Sequence, residues 1–313
     1  MGKLTYLKDV KHQSLTAVTV GTFDGVHLGH RILIQKLVEK AREIHGRSVV
    51  VSFDPHPREV LMGGSNTMKL LTSLSERVEI LSQLGVDEMV VIPFNRDFSL
   101  MSSEDFIQKI IYQEIGVRHF IIGYDHQFGK NREGTISTVK KLAELLDFDV
   151  HLIGAQEVGD ITISSTSVRK ALSQKGDVRL AATFLGRPYL LSGTVIHGDK
   201  RGRLIGFPTA NIRVNNERKI IPARGVYAVE VGYEDKRYKG MMNIGLRPTV
   251  ANSEELRLEV HIFDFEEFIY GKEIDVFFVE RIRDEKRFNG VEELKTQLIE
   301  DKDRCISLLK SLY

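Results

Sequence analysis

Gly21-Thr22-Phe23-Asp24-Gly25-Val26-His27-Leu28-Gly29-His30 follows directly on the apolar run Ala17-Val18-Thr19-Val20. It precedes a segment in which Ile34, Leu37, Val38 and Ala41 recur at helical spacing, with Gly46 just past its end. The pattern predicts a strand, a glycine-rich turn and a helix N-terminus in succession. Backbone N–H groups at a helix N-terminus have no intrahelical partner and favour an anion, so the turn reads as a phosphate site. Two imidazoles added there, His27 and His30, point to chemistry on the phosphate rather than simple holding. Taken singly, either histidine could be a satisfied core residue, and the glycines could serve only as turn residues with positive φ. A zinc pair would need a third ligand; no cysteine stands near, and His56 could serve only on paper. The coincidence of strand, glycines, spaced histidines and helix favours phosphate chemistry over these readings.

Working outward, the first half alternates. β-rich runs at Ala17–Val20, Ser48–Phe53, Met89–Phe94, His119–Ile122 and Val150–Ile153 are separated by helical patterns, among them 74–84, 106–115 and 136–146. Ser103 reads as an N-cap for the helix that follows it. Such alternation predicts a doubly wound parallel sheet with both faces covered. Ligands then bind beyond the carboxyl ends of the strands. The histidine turn, Asp54-Pro55-His56-Pro57 and Gly123-Tyr124-Asp125-His126 each follow a strand, so all three should converge on one rim.

After a helical segment at 167–174 and the stretch 176–184, the pattern changes. Runs at 192–196, 225–231, 238–244, 257–263 and 274–281 carry turn signals and no helix between them, predicting a small antiparallel β-barrel or sandwich. A helix from about Val291 closes the chain, with Leu294, Leu298, Ile306 and Leu309 as its apolar positions. The expected division is 1–184 and 185–313.

The chain has 313 residues, 42% hydrophobic and 28% charged, which suits two globular domains with sizeable cores. A net charge of +1 argues against a large nucleic-acid footprint, and no run is apolar enough to span a membrane. The single cysteine, Cys305, reads as a small core residue and fits a reducing cytoplasm. The N-terminus has no apolar signal core.

In the second half, Lys200, Arg201, Arg203, Arg213, Arg218, Lys219 and Arg224 face only Asp199 and Glu217 in charge. Charge alone fits a solvated loop. The interleaved Gly198, Gly202 and Gly206 change the balance, because bare backbone approaches a polyphosphate closely while cations neutralise it. Thr209 and Asn211 alternate along an extended segment and offer hard oxygens suited to Mg²⁺ shared with phosphate, though read bare they are turn-friendly polar residues. In Leu256–Phe263, Arg257, Glu259 and His261 share one face of an alternating strand. Glu259 is a candidate general base for a hydroxyl, or could equally pair with Arg257.

These motifs together resemble the bacterial bifunctional riboflavin kinase/FAD synthetase family along almost the whole chain. His27-Leu28-Gly29-His30 resembles the His-x-Gly-His signature of Rossmann-like nucleotidyltransferases. The flavin branch is marked by the full 21–30 string, by Phe53-Asp54-Pro55-His56-Pro57, by Gly123–Gly129 and by Ile163–Arg169; one departure is His126, where the family usually has Phe. Gly206-Phe207-Pro208-Thr209-Ala210-Asn211 resembles the kinase signature. The resemblance implies two reactions. In the barrel, riboflavin and ATP give FMN and ADP, with Glu259 as base, Thr209 and Asn211 on Mg²⁺, and Gly198, Lys200, Arg201, Gly202 and Arg203 around the phosphates. In the first domain, FMN and a second ATP give FAD and pyrophosphate, with His27 and His30 catalytic. Gly21, Phe23, Asp24, Gly29, Ser164, Ser165, Thr166 and Arg169 would hold ATP. Asp54, His56, Asp125 and Phe128 would hold the flavin there, and Gly206, Phe207 and Arg283 in the barrel. Two rivals remain: only one activity operates, or the chain is a flavin- and ATP-binding sensor without turnover.

Overall fold

The strand before the histidine turn, β2 (Thr16–Val20), lies in the middle of a six-stranded parallel sheet. The computed structural model describes residues 3–61, 68–123, 128–130, 133–154, 157–158, 161–198, 201–248 and 254–310. The chain forms two compact units, Met1–Ser165 and Thr166–Tyr313.

In the first unit, β1 (Lys3–Tyr6), β3 (Arg47–Asp54), β4 (Glu88–Pro93), β5 (Val117–Gly123) and β6 (Asp149–Ile153) join β2 in the order β1-β4-β3-β2-β5-β6. Every pairing is parallel. Alternation along each strand divides the core into two layers. Val18, Val20, Val49, Val51, Val90, Ile92, Phe120 and Ile122 pack against the helices at 106–115 and Ile136–Leu146. Ala17, Val50, Met89, Val91 and Ile121 pack on the other face against Leu28–Glu43 and Leu74–Gln83. Leu33, Ile34, Leu37, Val38 and Ala41 are the buried stripe of Leu28–Glu43, which is the helical face the spacing predicts. The chain goes from β2 outward through β3 to β4, then crosses back to place β5 on the other side of β2. The switch point therefore lies between the carboxyl ends of β2 and β5.

Two local readings are corrected. The helix that follows Met101 is capped by Ser102, whose hydroxyl accepts from Asp105 N–H at 3.0 Å; Ser103 is already inside it. That helix then continues with π winding from Phe106 to Ile115 and ends at Gly116, whose φ of +87° is open to glycine. The edge strand β1 had no sequence signal, being four residues long and mostly exposed. A two-residue hairpin, β7 (Glu157–Val158) and β8 (Ile161–Thr162), follows β6.

In the second unit, β9 (Tyr189–Ile196), β10 (Ala210–Val214), β11 (Gly225–Tyr233), β12 (Lys236–Pro248), β13 (Glu254–Ile262) and β14 (Glu273–Arg283) close an antiparallel barrel in the order β10-β13-β12-β11-β14-β9. The last helix, Val291–Lys310, covers one outer face of it. Cys305 and Leu309 pack there with Phe207, Val226, Ala228, Met241, Phe263 and Ile282. Burial in that interface pushes the Cys305 thiol up to about 12 and leaves it inert. Before the barrel, the stretch 176–184 holds a helix, Val178–Leu185, which the sequence reading did not assign.

Candidate functional site

The histidine turn leaves β2 at the switch point. Phe23, Gly25 and Val26 have φ of +46°, +85° and +41°. Three left-handed residues in four fold the backbone back on itself, and a β-branched Val26 there is strained. What holds it is Asp24. Its fully buried carboxylate accepts from the backbone N–H of Leu71 (3.0 Å) and Thr72 (2.9 Å) and from the Thr72 hydroxyl (3.1 Å), and Gly25 N–H donates to that hydroxyl at 2.9 Å. Asp24 thus shapes the turn from within. Its oxygens are enclosed by the protein's own donors. Phe23 is likewise buried, with its ring edge-on to His30 at 5.0 Å. Gly21 N–H is held by Val51 O at 3.0 Å, and Gly29 opens the first turn of Leu28–Glu43.

His27 caps that helix: its Nδ1 accepts from His30 N–H at 3.4 Å. Accepting at Nδ1 leaves the proton of neutral His27 on Nε2. The His30 ring stacks on His27 at 3.6 Å, and its Nδ1 is enclosed with no hydrogen-bond partner. A buried N–H without an acceptor is more costly than a bare ring nitrogen, so neutral His30 also carries its proton on Nε2. Burial, then the neighbouring His27 and Arg77, hold the His30 pKa well below the ordinary 6.5. The arrangement is a stacked pair of imidazoles at the head of a helix, with the fully enclosed His30 held neutral.

Arg77 was not picked out in the sequence, since it stands inside an ordinary amphipathic helix. Its buried Nη1 donates to Thr22 O at 2.8 Å and Ser52 Oγ at 3.2 Å, bracing the turn from behind. Ser165 Oγ donates to Asp24 O at 2.8 Å, which brings Ser164 and Ser165 to the turn. Asp54 ends β3 and the largely buried His56 follows it on the same rim, and Arg58 N–H donates to His56 Nδ1 at 3.2 Å. Phe53, Phe94, Phe98, Phe106 and Phe128 form a chain of ring contacts, each 5.6–6.2 Å from the next, with Phe128 at its end. Asp125 and His126 lie outside the described residues. Thr166 and Arg169 stand on the helix Ser165–Lys170.

In the barrel, Asn211 on β10 and Glu259 on β13 are register partners, so their side chains share a face. Arg257 approaches Glu259 at 3.8 Å, a loose contact that leaves the carboxylate half-exposed. A side chain at Gly198 would collide with the Asn211 carboxamide, and one at Gly202 with Phe207 O, so these two glycines let the basic loop lie directly against the signature segment. Gly206 has φ +86° and opens onto free space. Phe207 packs edge-on to His261 at 5.3 Å. His261 Nδ1 contacts Pro208 O at 2.7 Å; a carbonyl only accepts, so Nδ1 carries the proton. A cavity of about 180 Å³ lies beside Thr209, floored by Val195, Val260 and Ile262 and walled by Arg203 and the 265–270 segment. Arg203 sits 5.7 Å over the exposed Phe268 ring. Lys200 lies outside the described residues, as does the side chain of Arg201.

Arg283, expected to border the flavin, has its guanidinium engaged within the protein. Its Nε and Nη2 grip the Asp301 carboxylate at 2.7–3.0 Å, and Nη1 donates to Asp284 O at 2.9 Å. Asp301, which the sequence reading passed over, is buried on the last helix.

Two family models match, FAD synthetase over residues 9–167 and riboflavin kinase over residues 185–309. A protein of Listeria monocytogenes described as a bifunctional riboflavin kinase/FMN adenylyltransferase is 41% identical, over 91% of this chain and 89% of its own. Proteins of the same description from Bacillus subtilis and Escherichia coli K12 are 39% and 40% identical, covering 96% and 91% of this chain and 95% and 90% of their own. A crystal structure from Streptococcus pneumoniae described as a macrolide-efflux protein shares the fold, with a TM-score of 0.87 and 32% identity over 96% of this chain and 97% of that one. Among the described residues no helix is long and apolar enough to cross a membrane. On both halves and over nearly all its length, the chain belongs to the bifunctional riboflavin kinase/FMN adenylyltransferase family.

Proposed function

We propose that the barrel transfers the γ-phosphoryl of ATP to the terminal ribityl hydroxyl of riboflavin, and that the α/β unit joins the resulting FMN to the AMP moiety of a second ATP. What carries this reading is that each compact unit holds its own phosphate-handling constellation: the stacked histidines at a switch point in one, the Asn211–Glu259 pair under a glycine-rich basic loop in the other.

In the barrel reaction Glu259 accepts the hydroxyl proton as the oxygen bonds to the γ-phosphorus, and the bond from that phosphorus to the bridging oxygen breaks, releasing ADP. Thr209 and Asn211 suit Mg²⁺, being a hydroxyl and a carboxamide oxygen on alternate chain positions either side of Ala210, with the space over Asn211 kept clear by Gly198. When bound, the ion would neutralise charge on the donor phosphates. Arg203 and the loop amides add to that. Phosphoryl transfer depends chiefly on positioning and electrostatics, which this loop supplies.

In the α/β unit an FMN phosphate oxygen attacks the α-phosphorus of ATP and pyrophosphate leaves. The nucleophile is already an anion, so no general base is required. The Nε2–H donors of His27 and His30 and the helix N-terminus stabilise charge growing on the α-phosphate. Ser164 and Ser165 hold the triphosphate. Asp54, His56 and Phe128 border the place of the flavin on the rim. The functional division at 184/185 and a cytoplasmic location belong to the same reading.

The test is direct. Purified protein with riboflavin, ATP and Mg²⁺ is sampled over time and the flavins are separated. FMN appearing first and FAD after it supports both activities. FMN without FAD, or FAD only from added FMN, leaves one activity. Both flavins bound but unchanged would make the chain a sensor.

A further inference from the structure

Resting on the barrel as the riboflavin-phosphorylating unit, we infer that Asn243 binds the hydroxyl-bearing chain of the flavin substrate, on the side of Glu259 away from the phosphate donor. The strand register carries this. Glu259 lies opposite Asn211 on one neighbour, β10, and opposite Asn243 on the other, β12. Asn243 lies opposite Val226 on β11, and Val226 opposite Arg283 on β14. Register partners project from the same face, so Asn211, Glu259, Asn243, Val226 and Arg283 form one row around the barrel. Their sequence neighbours Ile212, Leu258, Val260, Met242, Ile244 and Tyr227 are buried within it, which places the row on the outer face.

The row has a direction. At one end Asn211 meets the glycine-rich loop, where phosphates belong. At the other, Val226 is apolar and covered by the cluster that includes Cys305 and Leu309. An in-line displacement sets the attacking oxygen opposite the leaving group. With the donor over Asn211 and the attacking hydroxyl at Glu259, the rest of the substrate chain extends over Asn243 toward the apolar end. Asn243 suits that neighbour. It is half-buried, and its side chain makes no hydrogen bond to any described residue. Its Nδ2 lies beside Gly245, where a Cβ would collide with the Glu285 carboxylate and come within 3.2 Å of that nitrogen. A carboxamide both donates and accepts, as a hydroxyl does; it lacks the charge a phosphate would call for.

The experiment compares riboflavin with an isoalloxazine carrying a 5-hydroxypentyl chain, which keeps the terminal hydroxyl and lacks the others. In Asn243→Ala, kcat/KM for riboflavin should fall about tenfold, the worth of one hydrogen bond to a neutral group, mainly through the KM for flavin. The KM for ATP and the turnover of the analogue should stay as in the parent, so the preference for riboflavin over the analogue shrinks. Asn243→Ser, which retains a hydroxyl, should recover part of it. An equal loss on both flavins, or no loss on either, overturns the inference. The thermal unfolding transition of the barrel unit, compared with the parent's, reports on folding; if Asn243→Ala is unfolded, Asn243→Ser supplies the same comparison. Failure of the barrel reading is a separate outcome: the parent protein would phosphorylate neither flavin.

Discussion

Arg77 Nη1 donates to the carbonyl oxygen of Thr22 at 2.8 Å, joining the helix Leu74–Gln83 to the head of the histidine turn across 55 residues of sequence. The same nitrogen holds Ser52 Oγ, which itself donates to Thr22 O at 3.3 Å. A buried cation thus sits behind a turn whose outer side is read as facing phosphate, and its charge helps keep His30 neutral.

Arg77→Gln removes that charge. The His30 pKa then rises, because one of the influences lowering it is gone. If neutral His30 is the working form, the acid limb of the FMN-to-FAD pH–rate profile moves to higher pH, while the riboflavin-to-FMN profile stays in place. An unmoved acid limb with a lowered plateau would assign Arg77 to bracing alone.

His30→Ala should lower FMN adenylylation by about 10²–10³, the usual cost of one preorganised donor to a reacting phosphate or oxyanion. Riboflavin phosphorylation should be unchanged. Loss of both activities in a folded variant would contradict separate sites.

Glu259→Gln should do the reverse. Removing a general base typically costs about 10²–10⁴ in rate. FMN formation should fall by that order with FMN-to-FAD conversion intact, measured on the same sample by following the two flavin products.

Arg283→Ala leaves the Asp301 carboxylate, 3% exposed, without its guanidinium partner. Breaking such a pair from one side costs about 3–5 kcal/mol. The unfolding transition of the barrel unit should move to markedly lower denaturant, whereas replacing both residues by an apolar pair should recover much of it. An Arg283→Ala variant as stable as the parent would remove the pair from the account of how the last helix is held.

Burial lowers the pKa of His30, His119, His151 and His261 below 6.5. A group whose folded pKa is depressed binds fewer protons folded than unfolded. Its stability contribution is therefore present above about pH 6.5 and is lost as pH falls through the folded value. The melting temperature should drop between pH 7 and pH 5. His119 and His151 sit 3.2 Å apart on β5 and β6, so the double variant His119→Gln, His151→Gln should flatten the decline in the α/β unit. A melting temperature independent of pH across that range would refute the assignment.

What was legible in the sequence is what neighbours in the chain decide. The 3.6-residue spacing of Ile34, Leu37, Val38 and Ala41 determined a helix and its buried face. Strand, glycines and histidines in immediate succession determined a tight turn at the head of a helix, and the alternation around Glu259 determined which of its neighbours share its face. Motif strings of this kind also carried the family. The tertiary structure alone decided which distant residues meet. Asp24 and Arg283 read in one dimension as ligand-binding candidates; the structure adds that each meets partners, at 71–72 and at 301, that no local pattern announces. Arg77 looked like an ordinary position of a helix, and Asn243-Ile244-Gly245 read only as a string that fits around the kinase signature, with no role for Asn243. Only the packing of that helix behind the turn, and the closure of the barrel in one register, set them beside His30 and Glu259. Hydrogen bonds and charge act over a few ångströms of space whatever the separation along the chain, so a side chain's chemistry belongs to its sequence and its use to the fold.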